Sequence, residues 1–165
     1  MLADSYYLWK TAHVVSASVL FGTGLGIAFF AWFGYRRTMR TGRIEGLRLV
    51  LSLTVIADLL FTLPAVVFQA LSGFVLLELR AWAWHSPWSL ASLGMFAAVG
   101  LLWLPVVAIQ ILMSREADRA ATIKELGQHF HRRFLWWFLL GVPAFAGVVV
   151  LFFLMVTKAL PVTAA

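Results

Sequence analysis

The run KTAHVVSASVLFGTGLG at residues 10–26 sets an ammonium, Lys10, and an imidazole, His13, three residues apart, and follows them with Gly22, Gly24 and Gly26. On a helix that spacing puts both side chains on one face. A lysine can pair with an anion, and a histidine can ligate a metal or haem iron or move a proton. The glycines could instead cradle a phosphate, but a dinucleotide fingerprint needs a strand before them and a helix opening at them. Here they lie inside an unbroken apolar run, so the phosphate reading fails. Gly22, Gly24 and Gly26, with Ala17 and Ala28, are read as small residues that let a neighbouring helix, or a flat ligand, approach the backbone.

What must position these groups follows from composition. The chain of 165 residues is 62% hydrophobic and 12% charged, which leaves too little polar surface to coat a soluble globule. It reads as a membrane protein whose first partner is the lipid bilayer. Four stretches reach the ~20 apolar residues that a spanning helix needs: residues 6–35, 47–77, 88–113 and 134–156. Isolated strands would leave backbone groups unpaired in lipid, so the spans are helices. No linker, internal repeat or low-complexity segment divides the chain. The expected fold is therefore all-α, one antiparallel four-transmembrane-helix bundle over residues 1–165.

Charge orients that bundle. Arg36, Arg37, Arg40, Arg43 and Arg48 lie between the first two spans, and Arg115, Arg119, Lys124, Arg132 and Arg133 between the last two, whereas LELRAWAWHSPWS carries Arg80 alone. The positive-inside rule places the two arginine-rich loops in the cytoplasm and both termini, with Trp82, Trp84 and Trp88, outside. The net charge of +6 is then a matter of topology and calls for no nucleic acid. The positive charge follows the first apolar run, and Asp4 stands where a basic leader would begin, so the first helix is expected to stay in the mature protein. Residues 114–134 place Ile123, Leu126, Phe130 and Phe134 at helical spacing, which predicts an amphipathic cytoplasmic segment along the inner membrane surface before the last span.

On that frame the polar residues acquire depths. A side chain that is polar or ionisable inside a span costs a few kcal/mol unless it is paired or serves a site. With a helix starting near Tyr6, His13 lies about 10 Å in. Lys10 can snorkel to the outer head groups; His13 cannot. Gln69 falls in the outer half of the second span, Trp103 near the middle of the third, and Lys158 at the outer end of the fourth. Asp58 and Gln110 share the inner half, where a structural hydrogen bond between the second and third helices would serve both. His85 is the only other outer-side histidine and the second choice as a ligand, while His129 and His131 belong to the inner side.

The segments YLWKTAHVVSASVLFGTGLGIAFF, ADLLFTLPAVVFQALSG, WLPVVAIQILM and GVPAFAGVVVLFFLMVTK together resemble the bacterial family of predicted integral membrane proteins catalogued as domain of unknown function 2269. More distantly, LWKTAHVVS and LMVTK at the two ends are similar to the ends of the HemJ-type, haem-containing membrane protoporphyrinogen oxidase and of the copper-resistance CopD group. The oxidase likeness implies haem b ligated by a bundle histidine and a functional lysine near the end of the last span, roles that fall on His13 and Lys158. The family likeness implies a location in the bacterial inner membrane.

Haem suits the residues. Neutral imidazole is a good axial ligand, a four-helix bundle offers a slot between facing helices, and lysines at the outer rim could pair with propionates. The expectation is a b-type haem protein with His13 as ligand, Gln69 and Trp103 near the macrocycle, and Lys10 or Lys158 near its carboxylates. Its chemistry would be electron transfer with a small hydrophobic reductant or an electron-transfer partner, as in a haem-dependent oxidoreductase. The competing classes are a non-haem transporter or metal-handling protein, to which a buried Asp58 would contribute a relay group, and a structural subunit of a membrane complex. Copper handling is disfavoured because the chain has no cysteine and only scattered methionines, so it lacks clustered soft ligands. Reporter fusions test the topology: one after Ala165 and one within residues 42–46 should report opposite sides of the membrane, and two cytoplasmic readings would overturn the span count.

Overall fold

The protein, described here by a computed structural model over residues 2–158, is helical nearly throughout. Helix α1 runs over Leu2–Thr41, and α2 (Ile44–Ala57) continues through a five-residue π-helical turn, Asp58–Thr62, into α3 (Leu63–Leu79). Helices α4 (Pro87–Arg119) and α5 (Gln128–Thr157) complete the chain. Four helical stretches, Ser5–Thr41, Ile44–Leu79, Pro87–Arg119 and Gln128–Thr157, are long and apolar enough to cross a bilayer. The helices outlast the apolar spans, and α1 and α4 carry Arg40 and Arg119 in their last turns.

Local chemistry explains the joints. The α1–α2 turn is closed by Gly42 in the left-handed region (φ 74°), whose N–H donates to the Thr38 carbonyl at 3.0 Å, as a helix-ending glycine does. At the far end of α3, Ala81 takes the same role with φ 49°, while the Trp82 N–H reaches back to the Leu77 carbonyl at 3.1 Å. The π turn sits just before Pro64. Proline has no N–H to donate to the preceding turn, and a five-residue-wide turn absorbs the mismatch: Leu63 N–H bonds the Asp58 carbonyl. Such turns alter which way neighbouring side chains face, and here the turn begins at Asp58, the one buried carboxylate among the described residues.

The packing is uneven along the bundle. At the arginine-rich end, Leu47 and Leu51 of α2, Met113 and Ala117 of α4, and Phe130 and Phe134 of α5 form a continuous buried core. Toward the tryptophan-rich end the helices sort into two pairs, α1 with α3 and α4 with α5, and α3 and α4 make no extensive contact. Helix α1 meets α5 through rings: Phe21 stacks on Phe145 with centroids 4.6 Å apart, Trp32 lies 4.8 Å from Phe138, and Tyr35 stacks on Phe134 at 4.0 Å. These side chains hold the two backbones apart. Across the tryptophan-rich rim, Arg80 lies over the Tyr6 ring at 4.0 Å and Lys158 over the Trp82 ring at 3.7 Å, so both ends of the described chain share that rim.

Two expectations need correcting. Residues 114–134 are not a separate surface helix: α4 continues to Arg119, the chain turns through a short 3₁₀ segment, Ile123–Glu125, and α5 begins at Gln128. Leu126, Phe130 and Phe134 are buried in the bundle, and Trp32 and Tyr35 of α1 offer the two phenylalanines an aromatic wall. The helical spacing was real, but a protein face takes up the apolar stripe instead of lipid. Gly22, Gly24 and Gly26, in turn, mediate no close approach, since a methyl group added at any of them would meet nothing within 4 Å. The tightest glycine is Gly147 of α5, where a Cβ would stand 2.5 Å from Val99 Cγ2 and 3.4 Å from Met95 Sδ on α4, followed by Gly34, where it would stand 3.2 Å from Val50 Cγ2.

A helical valine has one strongly preferred rotamer and cannot swing away. Gly147→Ala should therefore lower the thermal stability of the detergent-solubilised protein, with an overpacking cost of about 1–3 kcal/mol. Gly24→Ala should leave stability unchanged or raise it, since alanine is the better helix former by about 1 kcal/mol. Indistinguishable unfolding curves for the two variants would overturn the close α4–α5 contact.

Candidate functional site

Two polar clusters lie inside the bundle, one in each half. In the half nearer the tryptophan-rich rim, His13 of α1 faces α3. Its Nδ1 is 2.7 Å from Ser72 Oγ, and Ser72 Oγ is 2.6 Å from the Phe68 carbonyl. A carbonyl oxygen only accepts, and two bare lone pairs would repel at that separation, so the serine proton points to Phe68. The histidine must then donate its Nδ1–H to Ser72. In the neutral ring the lone pair then lies on Nε2, which no hydrogen bond reaches among the described residues. Gln69 Nε2 donates to the His13 carbonyl at 2.7 Å and Ser16 Oγ to the Ala65 carbonyl at 3.3 Å, so three side-chain bonds stitch α1 to α3. The imidazole edge also faces Gly73, where an added Cβ would lie 3.8 Å from His13 Cε1.

The second cluster occupies the arginine-rich half. Trp137 Nε1 of α5 donates to Gln110 Oε1 of α4 at 3.0 Å, and Gln110 Nε2 donates to Asp58 Oδ2 at 2.8 Å. Gln110 is 1% exposed and Asp58 5%. The Thr62 hydroxyl and the Trp103 indole flank the carboxylate, yet Thr62 Oγ1 and Trp103 Nε1 stand outside hydrogen-bond geometry and have no partner of their own among the described residues. No cation bonds Asp58 there either. The polar side chains placed around this acid, Gln110, Thr62 and Trp103, are all neutral donors.

The residues singled out in the sequence are thus distributed unequally. His13 and Gln69 come together, as do Asp58 and Gln110. Trp103 belongs with Asp58, not with His13, which removes it from the surroundings of the histidine. Lys10 and Lys158 are exposed at the rim and lie over the rings of Tyr6 and Trp82 respectively, with no carboxylate partner among the described residues. His85 is exposed in the loop and does not fold in beside His13. His131 bonds the Tyr35 hydroxyl at 2.7 Å and His129 is exposed. Tyr35 stands about 33 Å along α1 from His13 at the helical rise of 1.5 Å per residue. Among the described residues no group of three or more histidines, cysteines or carboxylates could hold a metal ion. The hollow bordered by Tyr7, Leu8, Thr11, Ala12 and Val15 is on the side of α1 away from His13, as the 100° step between helical residues requires.

Sequence reasoning passed over three residues. Ser72 is buried and holds the imidazole; the stripe Ala65, Gln69, Ser72, small or polar at steps of four and three, marks the α3 face that meets α1. Trp137 gave no signal, being one of a pair of adjacent tryptophans in an apolar run. Arg48 reads as a topogenic loop charge, but its guanidinium donates to the carbonyls of Ala117, at 3.0 Å, and of Ala120, closing the last turn of α4.

The Asp58–Gln110 bond has a measurable consequence. Asp58→Asn keeps an acceptor for the Gln110 amide, whereas Asp58→Leu leaves that amide buried without one, a loss of about 1–3 kcal/mol. The leucine variant should melt at the lower temperature in detergent. Equal melting temperatures would mean that the bond contributes nothing.

No curated protein and no solved structure matches this chain, so the more distant likeness to the haem-containing oxidase and the copper-resistance group rests on the residues at the two chain ends alone. A family match does cover residues 7–159. It takes in all four spans, the His13–Ser72 contact and the Asp58–Gln110–Trp137 chain, and on that match the protein belongs to the family of predicted integral membrane proteins designated DUF2269.

Proposed function

We propose that this protein is a b-type haem protein of the bacterial inner membrane, oriented with its arginine-rich end toward the cytoplasm and with His13 as the axial ligand. The observation that carries the reading is the anchored imidazole: Nδ1–H is held by Ser72 and Nε2 is left with an unshared pair. A ligating histidine generally has its second nitrogen fixed in this way by an outer partner. The sparse contact between the α1–α3 and α4–α5 pairs, and two rim lysines without carboxylate partners among the described residues, are compatible with a flat, doubly carboxylated guest. Gln69 holds the His13 backbone in place, and Lys10 and Lys158 would meet the propionates. The residues present offer one imidazole and no second strong ligand at that depth. Bound haem b would supply one-electron transfer, and the surrounding apolar helices favour a small hydrophobic reductant over a polar one.

A second reading is favoured by one observation, the burial of Asp58 among neutral donors with no cation bonded to it. A carboxylate so placed suits a proton-coupled transporter without haem, since intramembrane acids often belong to proton pathways. A pyridine haemochrome assay on detergent-purified protein from haem-sufficient cells separates the two.

The wild-type protein should show a Soret band. His13→Ala should abolish or strongly weaken haem retention, and Ser72→Ala should weaken it less, since it frees the ring without removing the ligand atom. His129→Ala and His131→Ala should leave the spectrum unchanged. A His13→Ala protein with the full wild-type spectrum would overturn the assignment, and a well-folded wild-type protein without haem would favour the transporter reading.

A further inference from the structure

We propose that the cleft between the end of α4 and the start of α5 is a binding site for an anionic phospholipid, its phosphate held by Arg115 and Arg119. The cleft, of ≈ 500 Å³, is bordered by Leu112, Arg115, Glu116, Arg119, Glu125 and Arg133. Its charges are not equally available. Arg133 is paired with Glu116. Glu125 accepts the Ala121 N–H at 2.8 Å and the Thr122 hydroxyl at 3.3 Å, which ties it to the turn between the helices. Arg115 and Arg119 are exposed and have neither an acid nor a carbonyl partner among the described residues.

The two guanidiniums stand one turn apart on α4, within reach of a common anion. Completing the helix end is the ordinary duty of arginines so placed, but at α4 Arg48 of the neighbouring helix already donates to the Ala117 and Ala120 carbonyls. Arg115 and Arg119 are left with charge to spare. One turn toward the membrane lies Leu112, 45% exposed, at the border of the cleft where the apolar run of α4 gives way to charge. A ligand that fits is amphiphilic: a phosphate gripped by the planar forks of two arginines, with an acyl chain running down beside Leu112. Inorganic phosphate shares the head but not the tail.

Native mass spectrometry of the full chain with added lipid tests this. Phosphatidylglycerol should stay bound where phosphatidylcholine is stripped. Retention should fall roughly fivefold for Arg119→Gln and roughly 25-fold for Arg115→Gln with Arg119→Gln, at the strength of one basic residue near an anionic surface. Arg37→Gln with Arg40→Gln, at the end of α1, should retain the lipid as wild type does. Millimolar inorganic phosphate should not displace it. The proposal is overturned if the double variant, folded by its helical circular dichroism, keeps as much phosphatidylglycerol as wild type, or if phosphatidylcholine binds equally. Complete displacement by phosphate would assign the arginines to a free anion and remove the lipid.

Discussion

In a bilayer, an apolar helix face meets lipid as readily as it meets another helix, so polar contacts and close backbone approach select one arrangement over its rivals. Here the selecting contact is the chain from Trp137 through Gln110 to Asp58. One carboxamide uses its oxygen toward α5 and its nitrogen toward the π turn, and so ties three of the four spans at a single depth. The amide is 1% exposed, where breaking either bond leaves a buried group that water cannot reach. The core of Leu47, Leu51, Met113, Phe130 and Phe134 closes around the same half, and the Gly147–Val99 contact carries the α4–α5 pairing onward.

The opposite half is organised differently. Three side-chain hydrogen bonds join α1 to α3, but the two helix pairs are not drawn together by a comparable core. One half of the bundle is thus closed around a buried core, and the other holds an imidazole anchored at the seam between α1 and α3. A site built in the closed half would have to break the Gln110 bonds.

The arginines follow an equally physical division. Positive charge near one end of a membrane bundle orients it, and that demand says nothing about individual side chains. Arg48 closes the end of α4, Arg133 pairs with Glu116, and Arg36 lies over the Trp32 ring at 5.8 Å. Arg115 and Arg119 have no acid or carbonyl partner among the described residues, and the proposed anion site rests on that difference.

The sequence by itself determined that this chain forms four membrane-spanning helices and that His13, Gln69, Asp58 and Gln110 lie within them. Apolar length and depth are one-dimensional properties, read by counting residues at a known rise. The pairing of Asp58 with Gln110 was legible for the same reason, since two polar groups at one depth in lipid have few other partners. Tertiary structure alone decided which faces meet. It put Trp103 beside Asp58 instead of His13, gave the imidazole to Ser72, drew Leu126, Phe130 and Phe134 into the core, and left Gly22, Gly24 and Gly26 without close neighbours while Gly147 met Val99. In these spans nearly every face is apolar, so periodicity carries little information about rotation. The rotation of each helix is set by the few polar bonds and close contacts between partners far apart in the chain, and those exist only once the helices have packed.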